Sequence, residues 1–285
     1  MQLLFIFFSV MVYLTWEMLS IIAIGKGLDL MKSHEKKEVL KKERINKLKE
    51  LTSESMNYRY LIQDQLSDAI TAGNSHLLEK TLDLIDVEKV LEYLDQTSDY
   101  DLIHRFKSHL VTVNTYARIA AKNGGVLPLY LHLIFERFSM IINDADSIDY
   151  LVEHVYFQIF REYCHAVIHF STSSYSTVLK EIVSYITENL TGELTLTNIA
   201  SIYGMHPVHL ARKFKQETGN TFIGYVNQQR VYLAKYYFHL GEHQLSEVAN
   251  LAGFNSHSYF TKVFKKITGQ TPTKYLKELP DREKI

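Results

Sequence analysis

The last third of this 285-residue chain carries one sequence pattern twice, and this repeat limits the fold more than any other feature. Residues 199–205, IASIYGM, align with residues 248–254, VANLAGF. Farther along, residues 214–221, FKQETGNT, align with residues 264–271, FKKITGQT. A solenoid needs three or more repeats to bury its core. Two copies instead predict a pair of matched modules that do one job at two places.

Each copy has the pattern of a helix-turn-helix. A short apolar helix ends at Gly204 in the first copy and at Gly253 in the second, where a tight turn needs the positive φ that glycine adopts without strain. A second helix follows in each copy and directs large apolar side chains inward, namely Leu210, Phe214, Phe260 and Phe264. A helical run over 225–240 connects the copies. We therefore expect one chain to present two units to successive major grooves of DNA.

The charge distribution agrees with this interpretation. Residues 205–277 contain ten Lys and Arg and three Glu, a net charge of +7, whereas residues 1–170 contain 18 basic and 23 acidic residues, a net charge of −5. The formal charge of the whole chain is −1 and hides this asymmetry. A basic C-terminal module on an acidic remainder is typical of a protein that binds nucleic acid.

Residues 180–277 resemble the DNA-binding domain of the AraC/XylS family of bacterial transcription regulators. The resemblance is strongest over 248–266, VANLAGFNSHSYFTKVFKK, and continues through Gly269, Pro272 and Tyr275. It covers about a third of the chain. Leu276 departs from the family pattern, which often has a basic residue after the tyrosine. The resemblance implies a sequence-specific transcriptional regulator that binds the double-stranded DNA of a promoter.

Carried over by position, the resemblance places the second helix of each copy against the DNA bases. The predicted base-contacting residues are Val208, Ala211, Arg212, His257, Ser258 and Lys262. Arg212 is the strongest candidate because a guanidinium can bond a guanine edge through two parallel hydrogen bonds. The predicted contacts with the DNA backbone are Lys213, Lys215, Lys265 and Lys266, which would add affinity but no sequence information. A homodimer and contact with RNA polymerase are further expectations, and the effector stays unidentified.

The rest of the chain predicts an all-α protein, because only 4 prolines and 12 glycines interrupt long apolar runs. Helical periodicity is present over 58–170, and three apolar stripes stand out. They are Leu61, Ile62, Leu66, Ala69 and Ile70; Leu77, Leu78, Leu82 and Ile85; and Phe106, Leu110, Val113, Ala117, Ala120 and Ala121. The third stripe is predicted to end at Asn123, and Pro128 to begin the next helix.

Within this segment, 105–107 (RFK), Asn114 and 120–126 (AAKNGGV) resemble the helical region of a less-characterised branch of the same family. The resemblance implies a regulatory or dimerising role for residues 58–170. A polar linker is predicted over 171–179, followed by the DNA-binding domain over 180–279.

Residues 1–24 form an apolar run with one charge, Glu17, and seven Lys and Arg follow by residue 44. Two hypotheses fit this pattern. One is a transmembrane anchor whose basic flank stays in the cytoplasm. The other is the remnant of a larger N-terminal domain. Residues 25–57 are predicted to be a charged helical connector, either solvated or a short coiled coil.

Catalytic and metal-binding patterns are weak in this sequence, so no enzyme, metal or cofactor is predicted. Cys164, His165 and His169 share one helical face, but such residues on an apolar helix are more often part of a core and its rim. A single cysteine fits a reducing cytoplasm. The alternative to a regulator is a membrane-tethered helical interaction protein with a degenerate DNA-binding module.

Overall fold

The computed structural model describes residues 53–95, 101–242 and 244–279, so the predicted anchor at 1–24 and most of the connector at 25–57 lie outside the described residues. The helices are α1 (Ser53–Thr71), α2 (Ser75–Leu82), α3 (Val87–Asp95), α4 (Leu102–Asn123), α5 (Pro128–Asp144), α6 (Ile148–Leu151), α7 (Phe157–Phe170), α8 (Thr177–Glu188), α9 (Leu196–Ile202), α10 (Pro207–Thr218), α11 (Phe222–His239), α12 (Leu245–Leu251), α13 (His257–Thr268) and α14 (Pro272–Glu278). A π-helical segment, Val152–Tyr156, joins α6 to α7. No strand occurs in the described ranges, and the all-α prediction is confirmed.

Residues 57–170 pack around a core of their own, in which α4, α5 and α7 are the central helices. The stripe on α4 is buried as predicted, and Phe106, Leu110 and Ala117 are fully inaccessible. The helix ends at Asn123 and the next begins at Pro128, also as predicted. Leu61 belongs to the apolar stripe of α1, but its side chain is 53% exposed. Only the later turns of α1 are buried, from Leu66 onward.

The C-terminal region contains two separate hydrophobic cores. The first joins α8, α9, α10 and the start of α11, and its centre is Phe214, which contacts the rings of Phe222 and Tyr225. The second joins the end of α11 to α12, α13 and α14 around Phe264, which contacts Phe238. Each helix-turn-helix is therefore stabilised by its own core, and α11 belongs to both.

The segment after α7 is bonded to the loop between α4 and α5. Thr172 is buried and donates from its backbone N–H to the carbonyl oxygen of Gly125 at 2.9 Å. Ser171 pairs with Val126 in an isolated antiparallel bridge. Helix α8 begins at Thr177, so the last three residues of the predicted linker are helical. Within the described ranges, no helix is long and apolar enough to cross a membrane.

Candidate nucleic-acid interface

The turns of the two helix-turn-helix units have the same backbone geometry. Gly204 has φ 61° and Gly253 has φ 83°, as the sequence predicts for both turns. The residue after each glycine donates its N–H to a carbonyl in the preceding helix at 2.8 Å, Met205 to Ala200 and Phe254 to Ala249. The repeat in the sequence is thus a repeat in three dimensions, because the same residue types meet the same steric demand twice.

The second helices of the units, α10 and α13, have equal lengths of 12 residues and similar ends. At the N-terminus, a side chain accepts a hydrogen bond from a free backbone N–H, His206 Nδ1 from Val208 and Ser256 Oγ from Tyr259. At the C-terminus, a left-handed glycine follows each helix. These caps define both ends of each helix, and the N-terminal turns of the two helices are exposed.

One face of each of these two helices is buried, and the opposite face, the open face, is exposed to solvent. On α10, Leu210 and Phe214 are fully buried, whereas Val208 is 66% exposed and Arg212 is exposed. On α13, the predicted contact residues are all exposed, namely His257, Ser258, Lys262, Lys265 and Lys266. An offset of 50 residues places Lys262 at the position of Arg212. Both units therefore present a cation at the same outward position.

Two of the predicted contact residues lie at the sides of α10 rather than on its open face. Ala211 is half-buried. Lys213 is also half-buried, and its Nζ lies 2.6 Å from Glu217 Oε1. The other oxygen of Glu217 accepts the backbone N–H of Ser176 at 2.7 Å, at the start of α8. Lys213 thus belongs to a network that braces α10 against α8, whereas Lys215 is exposed, as Arg212 is.

The structure also brings to this face two residues that the sequence did not predict as DNA contacts. His209 is exposed, and its Nδ1 lies 3.1 Å from the guanidinium of Arg212. Tyr259 occupies the equivalent position on α13, and its hydroxyl accepts a hydrogen bond from Asn227 of α11 at 2.8 Å. A helical-wheel count outward from Leu210 and Phe260 would have found both, because each lies one turn before a predicted cation.

A loop between α8 and α9 fixes one helix-turn-helix unit against the other. Arg230 of α11 donates to the carbonyl oxygens of Leu190 at 2.8 Å and Gly192 at 2.7 Å. The same loop lies against the turn glycine of the second unit, because a Cβ at Gly253 would stand 2.5 Å from the Leu190 oxygen. The two outward faces are therefore held in one relative orientation.

The Cys164, His165 and His169 group does not converge on one point. Cys164 is buried and its Sγ faces the Ala69 carbonyl oxygen, whereas both histidines are exposed. Burial raises the pKa of the Cys164 thiol to about 11. Across the described ranges, no cluster of His, Cys, Asp and Glu has the arrangement of a metal site.

Two helix-turn-helix units with open, basic outer faces define a protein that binds double-stranded DNA. Residues 199–278 match the family described as a helix-turn-helix domain. The bifunctional transcriptional activator and DNA repair enzyme AdaA of Bacillus subtilis is 38% identical over 94 residues, which are 33% of this chain and 44% of AdaA. The Tn10 TetD protein of Escherichia coli is 32% identical over 101 residues, 35% of this chain and 73% of TetD.

This chain belongs to the AraC/XylS family of transcriptional regulators. An uncharacterised helix-turn-helix regulator of Bacillus subtilis, YtdP, is 23% identical over 217 residues, which are 75% of this chain and 27% of YtdP. The chain thus spans less than half the length of AdaA and about a quarter of YtdP. The matches to AdaA and TetD cover only about a third of this chain.

Proposed function

We propose that this chain is a sequence-specific transcriptional regulator whose two helix-turn-helix units bind successive major grooves of promoter DNA. The observation that carries the proposal is the equivalence of Arg212 and Lys262. The two cations occupy the same outward position on helices of equal length with similar caps. A duplicated outward cation has no role in either core, whereas it is what a pair of groove-binding helices needs.

In this proposal, the bases are contacted from the open faces of α10 and α13. Arg212 supplies the most selective contact, since its guanidinium matches the two acceptors of guanine. Val208 offers apolar contact, suited to a thymine methyl, and Ser258 and Lys262 face the second groove. His257 stands at the exposed first turn of α13, and Ala211 lies at the edge of the α10 contact. His209 keeps the Arg212 side chain oriented.

Phosphates are contacted by the cations beside these faces. We assign Lys215, Lys265 and Lys266 to the DNA backbone, because all three are exposed. Lys213 would have to leave Glu217 to reach a phosphate, so we assign it to bracing α10 instead. Such contacts position the protein and make its affinity depend on salt.

Residues 58–170 are the regulatory part in this proposal, and the DNA-binding domain extends over 180–279. Because bacterial DNA lies in the cytoplasm, we place the DNA-binding units there. Dimerisation through the helical region and contact with RNA polymerase remain part of the proposal. Nothing in the family matches favours the alternative of a membrane-tethered interaction protein.

The test is binding of the full chain to DNA upstream of its own gene, measured by fluorescence anisotropy against unlabelled competitor and over a range of salt concentrations. Arg212→Ala should weaken specific binding by about 1–3 kcal/mol and relax preference at one base position. The matched control is Lys122→Ala, which removes an exposed cation from the end of α4 and should leave binding unchanged. Binding that every competitor removes equally, or an Arg212→Ala variant that binds like the parent, would overturn the proposal.

A further inference from the structure

A charged cleft lies where the regulatory helices meet the DNA-binding units. Its walls come from α5, the segment Tyr150–Gln158 and Glu162 on one side, and from α11 and Tyr275 of α14 on the other. The cleft has a volume of about 460 Å³. Sites for small molecules in proteins have volumes of roughly 300–1,000 Å³, and they occur preferentially at domain interfaces. The cleft is therefore large enough for a small organic ligand.

Three charged side chains line this cleft. Arg137 of α5 lies 3.3 Å from the carboxylate of Glu162, and both side chains are mostly covered. Lys235 of α11 lines the same space. Within the described ranges, no carboxylate lies within ion-pair distance of Lys235, and its Nζ instead stands 5.2 Å from the centroid of the Tyr275 ring. Two cations thus share one anion.

Burial makes this excess of positive charge costly. It lowers the pKa of Lys235, which Arg137 lowers further and Glu162 only partly restores. Burial would raise the pKa of Glu162, yet the nearby Arg137 guanidinium reverses the direction and holds it below its usual value. The carboxylate is therefore already committed to Arg137. A further anion in the cleft would offset the remaining positive charge.

The lining of the cleft also includes part of the π-helical segment Val152–Tyr156. Such segments are rare and frequently lie at functional sites, since the extra residue in the turn redirects the neighbouring side chains. Here His154 and Val155 of the segment line the cleft, as does Tyr150 just before it. Phe138 and Ile141 of α5 complete an apolar lining around the charged end. A ligand that fits would combine one anionic group with an apolar body.

We propose that this cleft binds a small organic anion, a carboxylate or phosphate monoester with an apolar body, as the effector of the regulator. Its anionic group would lie at Lys235 and Arg137, and its body against Phe138, Ile141 and Tyr150. The binding itself is independent of the proposed function, whereas the effector role rests on it.

The side of the cleft formed by α11 and Tyr275 connects it to the DNA-binding units. Lys235 and His239 belong to α11, the helix shared by both units, and His239 Nε2 lies 3.1 Å from the Tyr275 hydroxyl. The ring of Tyr275 contacts Phe264 in the core beneath α13. A ligand held between α5 and α11 would therefore stabilise one placement of the regulatory helices against the DNA-binding units, and a ligand that favours one state shifts the equilibrium toward it.

Thermal unfolding of the full chain, without DNA, tests the binding. The probes are phenylacetate and phenyl phosphate at millimolar concentration and constant ionic strength, and phenylacetamide is the uncharged counterpart. At least one anion should raise Tm, by about 5 °C at a hundredfold excess over its Kd, while the amide leaves Tm unchanged. Which anion acts distinguishes a carboxylate from a phosphate ligand.

Lys235→Met keeps the length of the side chain and removes its charge, so the shift should be lost in this variant. Lys122→Met, the same substitution at an exposed position outside the cleft, should keep it. No shift with either anion, an equal shift with the amide, or an undiminished shift in Lys235→Met would overturn the anion site. These outcomes involve no DNA and leave the proposed function standing.

The effector role is tested by repeating the DNA titration with the active anion. Coupling is reciprocal, so the anion should change the Kd for DNA by roughly 5–150-fold, and DNA should change the Kd for the anion by the same factor. An anion that binds but leaves DNA affinity unaltered would overturn the effector role. Absence of any specific DNA binding would instead contradict the proposed function.

Discussion

Arg230 on α11 donates from Nε to the carbonyl oxygen of Leu190 at 2.8 Å, and this bond ties the connecting helix to the loop between α8 and α9. The loop in turn fills the space beside Gly253, the turn residue of the second unit. The two helix-turn-helix units are therefore joined in two ways, through the length of α11 and through this contact. A protein that meets two grooves at once benefits from such a joint, because a fixed orientation reduces the entropy lost on binding.

Gly253→Ala should destabilise the protein by about 3 kcal/mol, because the new methyl group meets two kinds of strain. The φ of 83° is unfavourable for alanine, and the Cβ would stand 2.5 Å from the Leu190 oxygen and 2.8 Å from the Cα of Thr191. The free energy of unfolding in urea measures the change.

The first unit offers the matched control. Gly204→Ala introduces the same methyl group at φ 61° in the equivalent turn, but nothing lies within 4 Å of the new Cβ. We expect it to cost only about 1 kcal/mol, the penalty of the backbone conformation alone. Equal losses in the two variants would show that the loop at Leu190 yields easily and does not join the units.

Lys265→Ala should weaken binding to specific and non-specific DNA by the same factor. It should also lower the slope of log K against log salt by about 1, since one phosphate contact disappears. Lys213→Ala should leave that slope unchanged, because the Lys213 ammonium is paired with Glu217 at 2.6 Å. Anisotropy titrations at several salt concentrations distinguish the two variants. A reduced slope in Lys213→Ala would return this residue to the set of phosphate contacts.

His109→Phe should flatten the dependence of stability on pH in the acid range. The ring forms a cluster with the rings of Phe106 and Tyr156, whose centroids lie 6.3 and 5.8 Å away, and Nε2 is buried without a hydrogen-bond partner in the described structure. Burial lowers the pKa of His109 from 6.5 to about 4. The unfolded chain therefore binds more protons than the folded one between these values, so stability falls as the pH drops from 6.5 to about 4. Phenylalanine keeps the stacking and removes the titration.

The parent should lose about 2 kcal/mol over this pH range relative to His109→Phe, less than the full shift would give because the residue is only half-buried. The measurement is urea unfolding at several pH values. His104→Phe makes the same substitution at an exposed position of the same helix and should track the parent. If His109→Phe and the parent changed in parallel with pH, His109 would not be the group that titrates.

Local residue types were sufficient to predict much of this fold. The glycines at 204 and 253 predict two turns, and both adopt positive φ. The stripe from Phe106 to Ala121 predicts one buried face of a long helix, and that face is buried. Leu61 is exposed although it lies in an apolar stripe, because periodicity indicates which face of a helix is apolar but not how much of the helix is covered by its neighbours. The sequence did not predict that Lys213 is half-buried and paired either, since its partner Glu217 is held in place by Ser176 at the start of another helix.

The sequence by itself determined the repeat, the all-α class, the two turns and the outward position of Arg212 and Lys262, because each depends on neighbours within a few residues. Only the tertiary structure decided how the units are joined and what lies between them. The bonds from Arg230 to Leu190 and Gly192 span 40 and 38 residues. The Arg137–Glu162 pair meets Lys235 where three helices, α5, α7 and α11, come together. Such contacts arise from packing distant segments together, and no local pattern of apolar and charged residues specifies which of them will meet.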